Sequence, residues 1–106
     1  MVRIMQEKVY EIVKQIPYGK VATYSQIAEK LGNKKLARVV GNILHNNPDE
    51  KNIFCYKIVN SKGYLAKNYA FGGIEKQKRR LESENIEVVN NKVDLKIYLW
   101  ENDKLV

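Results

Sequence analysis

A chain of 106 residues is long enough for one domain and too short for two. It is 44% hydrophobic, yet no apolar run approaches the ~20 residues of a membrane span, and the mixed, charged stretch 1–8 lacks the apolar core of a signal peptide. The net charge is +7, and with one cysteine and one histidine the chain can build neither an internal disulfide nor a zinc site, so a cytoplasmic, intracellular, metal-free domain is expected.

Val2, Met5, Val9, Ile12, Val13 and Ile16 recur at three- and four-residue steps, which predicts an amphipathic helix over 3–16, stopped by Pro17 and Gly19. Thr23 followed by Gln26 forms a capping box, in which the hydroxyl accepts an orphan backbone N–H and the amide reaches back. A short helix over 24–31 follows, closed by Gly32 and Asn33, and a third helix runs over 34–46 and ends before Pro48. Two short helices joined by a tight glycine-containing turn read as a helix-turn-helix. The apolar run from Ile53 to Val59 predicts a strand, Asn60-Ser61-Lys62-Gly63 a turn, and Tyr64-Leu65 the return strand of a small wing. Ala70 to Gly73 reads as a loop and 74–84 as a helix carrying the basic cluster Lys76, Lys78, Arg79 and Arg80. The stretch 86–98 supplies one or two short strands. No repeat or linker divides the chain, so residues 1–106 form one domain of α+β class, mainly helical and winged-helix-like.

On the third helix, at ~100° per residue, Leu36, Val39, Val40, Ile43 and Leu44 fall on one arc, and Arg38, Gly41, Asn42 and His45 on the opposite one. A polar helix face is ordinarily just solvated. Yet glycine in mid-helix costs about 1 kcal/mol against alanine, and its place beside Arg38 suggests a partner that approaches the backbone closely. Charge placement agrees: residues 1–80 carry sixteen basic and six acidic side chains, residues 81–106 three basic and six acidic. A basic body fits a polyanion such as nucleic acid. Fifteen of the nineteen basic residues are lysine, however, in a chain also rich in Asn, Ile and Tyr, so compositional bias competes with that reading.

Cys55 is the only thiol. In an apolar run a lone cysteine is commonly a small buried hydrophobe. Against that, Lys51, Lys57 and Arg38 are basic neighbours that would favour a thiolate.

Taken in order, Ile16-Pro17-Tyr18-Gly19, Val21-Ala22-Thr23-Tyr24-Ser25-Gln26-Ile27-Ala28, Ala37-Arg38-Val39-Val40-Gly41, Asn46-Asn47-Pro48 and Cys55 resemble the C-terminal domain of O6-alkylguanine-DNA alkyltransferases. Gly63, Gly72-Gly73 and Leu81 to Glu84 continue the likeness, which covers about residues 5–85. The resemblance implies a monomeric suicide repair protein that needs no cofactor. It would bind double-stranded DNA containing O6-alkylguanine from the minor groove, flip the damaged base and move its alkyl group to cysteine. The physical logic is independent of the name. The stack hides the base, so chemistry on it requires extrusion, and a soft thiolate suits attack on an alkyl carbon.

By position, the resemblance makes Cys55 the alkyl acceptor and Arg38 the finger that fills the vacated stack, with Ala37 and Gly41 the small residues that admit the helix to the groove. Asn42 shares that DNA-binding face. Tyr24 would contact the flipped base and its phosphate, and Asn47 would hold the turn beside the active-site loop. Ser61 would touch the lesion from the wing, and Glu84 would end the activation relay.

Departures accompany the match. The family's Pro-Cys-His-Arg-Val reads Phe54-Cys55-Tyr56-Lys57-Ile58, so Tyr56 replaces the relay histidine, and a phenol cannot become a cation at neutral pH. A lysine expected in the last helix reads Gln77, the loop between Gly63 and Gly72 is slightly longer, and the family's N-terminal domain is not in this sequence. That last feature is shared with the small alkyltransferase-like proteins, which bind alkylated DNA without repairing it and lack the acceptor cysteine; Cys55 is retained here. A plain winged-helix regulator, binding by sequence without preference for a lesion, is the third reading.

Overall fold

In the computed structural model, which describes residues 2–46, 49, 52–66 and 72–100, helix α1 spans Val2–Lys14. It ends before the predicted residue 16. Gln15 and Ile16 donate their N–H groups to Ile12 O and Val13 O at 3.0 and 3.2 Å, a tightened final turn, because the residue before a proline is driven out of the α region. Strand β1 (Ala22–Thr23) leads into α2 (Tyr24–Lys30) through the expected capping box: Gln26 N–H donates to Thr23 Oγ1 at 3.1 Å, and Thr23 N–H to Gln26 Oε1 at 3.4 Å. The predicted third helix is divided. Lys34–Leu36 form a 3-10 turn capped by the Asn33 side chain, which accepts from Lys35 N–H at 3.0 Å, and α3 proper spans Ala37–His45. Ile27 and Ala28 of α2, Val40, Ile43 and Leu44 of α3, and Val9 and Val13 of α1 bury one shared core. Each fully buried aliphatic side chain contributes roughly 1.5–3 kcal/mol, which fixes α3 against α2 and leaves its other face outward.

The strand predicted over 53–59 is shorter than expected. Cys55–Lys57 form a 3-10 turn, and only Ile58–Val59 are strand, β2, paired in parallel with β1 so that Ala22 opposes Ile58 and Thr23 opposes Val59. A short apolar run reads the same whether it is strand or buried turn. The turn at Asn60–Gly63 is as predicted: Gly63 N–H donates to Asn60 O at 2.9 Å, and Asn60 Oδ1 accepts from Lys62 and Tyr64 N–H, both at 2.9 Å. Gly63 has φ +96°, and a Cβ there would sit 2.2 Å from Val93 O, so the position admits no side chain.

The expected wing is built differently. Tyr64 pairs antiparallel with Lys92 rather than completing a ladder with β2, and it borders a hairpin of β3 (Val88–Val89) and β4 (Lys92–Val93). Asn90 and Asn91 turn that hairpin at φ +53° and +61°, the pattern of a type I′ turn. Helix α4 spans Gly73–Glu82 and the short α5 Leu95–Tyr98. Leu99 then pairs in parallel with Val21, and Trp100 is buried beside it. The architecture is the mainly helical α+β, helix-turn-helix domain that the sequence predicts. Among the described residues no helix is long and apolar enough to cross a membrane.

Candidate nucleic-acid interface and thiol site

Cys55 is buried at the start of the 3-10 turn, and the next two side chains converge on Glu84, two residues past the end of α4. The Tyr56 hydroxyl donates to Glu84 Oε2. Lys57 Nζ lies 2.9 Å from Glu84 Oε1 and also donates to Ile16 O and Pro17 O, at 3.2 and 2.8 Å. Gly19 N–H donates to Glu84 Oε1 at 2.9 Å. A buried charge is tolerable only when paired and hydrogen-bonded, and here both charges are. Burial pushes the Glu84 carboxyl up, but the bonds from Tyr56, Gly19 and Lys57 outweigh it and hold the group below its ordinary value. The Tyr56 phenol is pushed well above its ordinary value, first by burial and then by its bond to Glu84. The Arg80 guanidinium, 4.4 Å above the Tyr56 ring, pulls the other way without cancelling the rise. Glu84 is therefore an ionised acceptor and Tyr56 a firmly protonated donor.

Lys57 spends its charge on Glu84, Arg38 is exposed on α3, and Lys51 lies outside the described residues.

Tyr24 opens α2, and burial first, then electrostatic coupling to Cys55, raises its hydroxyl above the ordinary value. The same two causes raise Tyr10 of α1, whose hydroxyl donates to Ile43 O at 3.3 Å. The thiol thus lies within electrostatic reach of two tyrosines, one of them held to α3. A Cβ built on Gly41 would meet Cδ1 and Cε1 of Tyr24 at 3.8 Å, so Tyr24 also lies against the glycine of α3. Arg38, Asn42 and His45 are exposed on α3, while Ala37 and Gly41 are half-buried. Val39, predicted for the core arc, is 38% exposed; it stands about 100° around the helix from Val40, at the arc's edge.

Tyr56 and Glu84 are thus brought together next to Cys55 in the chain, Tyr24 lies against Gly41 of α3, and Arg38, Asn42 and His45 face outward on that helix. Ser61 is exposed at its turn and lines a cleft with Tyr64, Lys92 and Leu95. Asn47 lies outside the described residues. Sequence reasoning missed Tyr10, the stacking of Arg80 on Tyr56 and the anchoring role of Lys57. Two signals pointed there: a lysine inside an otherwise apolar run, and an Arg80–Glu84 spacing that places both on one side of the α4 end.

Residues 4–86 match the 6-O-methylguanine DNA methyltransferase DNA-binding domain, and this chain belongs to that family. A bifunctional methyltransferase/endonuclease of Picrophilus torridus is 43% identical over 93 residues, 88% of this chain but only 30% of that protein's length. Alkyltransferase-like protein 1 of Schizosaccharomyces pombe is 36% identical over 99 residues, 89% of this chain and 92% of the relative. The crystal structure of S. pombe Atl1 in complex with damaged DNA containing O6-carboxymethylguanine superposes with a TM-score of 0.85, at 35% identity, over 93% of this chain and 96% of that one.

Proposed function

We propose that this protein binds duplex DNA through α3, turns an O6-alkylated guanine out of the stack, and takes the alkyl group onto Cys55 Sγ in a single turnover. The observation that carries the reading is the buried Cys55 within electrostatic reach of Tyr24, whose ring lies against Gly41 of α3. The likeness to a family member crystallised on O6-carboxymethylguanine DNA supports binding of damaged DNA by this fold. Unstacking a base costs a few kcal/mol. The exposed Arg38 offers a planar guanidinium to the gap, where it can stack and donate to the orphaned partner base. Ala37 and Gly41 keep the helix slim for the shallow minor groove, and Tyr24 would hold the extruded nucleotide. In the transfer the Sγ–carbon bond forms as the carbon–O6 bond breaks, and the thiol proton ends on N1 as ordinary guanine re-forms. The thioether is stable, so the protein is consumed.

The test is intact mass after incubation with duplex DNA containing O6-methylguanine. One added methyl on Cys55, absent in Cys55→Ala, is expected. No added mass with lesion binding intact would overturn the transfer step and leave a lesion-binding protein. One observation favours that second reading. Tyr56 is bound to an already satisfied Glu84, so the position after the cysteine offers no free base for the thiol proton.

A further inference from the structure

Gln77, standing where the family resemblance leads one to expect a lysine, is fully buried in α4 at 0% exposure. Its Nε2 donates to Tyr56 O at 3.0 Å and to Ile58 O at 3.2 Å, and its Oε1 accepts from Ala66 N–H at 2.9 Å. The amide orientation is dictated by its partners. Reversed, it would set an oxygen against two carbonyls and an NH₂ against an N–H. A lysine ammonium could serve the two carbonyls but has no lone pair for Ala66. Gln77 of α4 and Glu84, two residues past its end, therefore grip Tyr56 at both ends, the first by its carbonyl and the second by its hydroxyl. Through the same amide Gln77 ties that peptide to Ala66, at the far end of the segment that begins with Ser61.

We propose that Gln77 is a positioning residue: it sets the spacing between the Cys55 turn and the Ser61–Ala66 segment, and through it the seat of the alkylated base beside Cys55. The proposal rests on the lesion-binding part of the function above. The acceptor side of the amide is the part a lysine cannot supply, so it is the Ala66 tie that Gln77 adds.

The experiment compares wild type, Gln77→Met and Gln77→Lys in their affinities for one duplex with and without a single O6-methylguanine. Thermal unfolding of each variant fixes a temperature at which all three are folded. Both variants lose the Ala66 tie, so both are expected to lose lesion preference by about tenfold, which corresponds to 1.4 kcal/mol, while their affinity for the unmodified duplex stays at the wild-type level. Gln77→Lys keeps donors for Tyr56 O and Ile58 O and carries the test should Gln77→Met fail to fold. Preference retained in the variants, or both affinities falling in parallel, would overturn the positioning role alone. A wild-type protein that does not prefer the lesion would overturn the proposed function together with it.

Discussion

Gly41 is a position where folding and binding pull in opposite directions. Its φ is not in the left-handed region, and among the described residues a Cβ added there would touch only Tyr24 Cδ1 and Cε1, both at 3.8 Å, an ordinary van der Waals distance. The fold therefore accepts alanine without strain. Glycine in a helix interior is about 1 kcal/mol worse than alanine, partly because the unfolded chain loses more freedom. Gly41→Ala should then stabilise the free protein by about 1 kcal/mol and raise its melting temperature by about 4–8 °C, the shift that such a change brings in a domain of this size. The same methyl would stand between α3 and the ring of Tyr24, where the proposed extruded nucleotide is held. Duplex binding should weaken by about tenfold, or 1.4 kcal/mol. Calorimetric melting and a fluorescence titration with labelled duplex measure the two effects on one preparation. A more stable variant with unchanged DNA affinity would refute the close approach. A destabilised variant would refute the reading that nothing inside the fold requires this glycine.

Lys57→Met should cost about 3–5 kcal/mol in urea unfolding, because it strands the buried Glu84 charge and two backbone carbonyls; adding Glu84→Gln should recover part of that loss, as expected for coupled sites. Glu84 sits below its ordinary value when folded, so its contribution is complete at neutral pH and drains away as acid protonates it. Glu84→Gln should flatten that acid limb of the stability curve; an unaltered limb would place the titration elsewhere. Tyr56 is raised, so its contribution holds below the ordinary tyrosine value and is lost only in alkali, a loss that Tyr56→Phe should abolish. Arg38→Ala should slow transfer from duplex DNA far more than reaction with free O6-benzylguanine, which needs no flipping; equal losses on the two substrates would make Arg38 a solvated charge.

Helix existence was legible because it rests on local signals. The Thr23–Gln26 box forms as its spacing predicts, and Pro17 ends α1 even earlier than the apolar stripe suggests. The outward face of α3 was legible too, since its periodicity separates the buried Val40, Ile43 and Leu44 from the exposed Arg38, Asn42 and His45, with Val39 and Gly41 at the margins. What was not legible depends on partners distant in sequence. Residues 53–59 look like one strand, but Lys57 reaches back to Pro17 and across to Glu84, and the chain must turn at Cys55–Lys57 to bring it there. Tyr64 reads as the second half of a hairpin with Val59, yet its ladder partner lies nearly thirty residues on, at Lys92. The departures from the family motif were visible as letters, whereas their consequence was not, because it resides in who donates to whom around Glu84.

Those donors constrain the chemistry of the thiol. If Tyr56 were to relay a proton from Cys55, it would have to hand its own to Glu84 as it accepts. Glu84 already accepts from Gly19 and Lys57 and is held below its ordinary value, while Tyr56 is held above its own, so both groups resist that exchange. The pair is better suited to fixing the residue after the cysteine than to moving a proton. Fast transfer would then require the proton to leave by another route, and the extruded base is the acceptor the reaction itself supplies: its ring must gain a proton when the alkyl group departs. If the proposed transfer takes place, proton loss from the thiol and binding of the base would be coupled steps, and the lesion itself would activate Cys55. A protein built this way would recognise alkylguanine before any reaction with it, so the proposed lesion binding and the proposed transfer would share one structural origin.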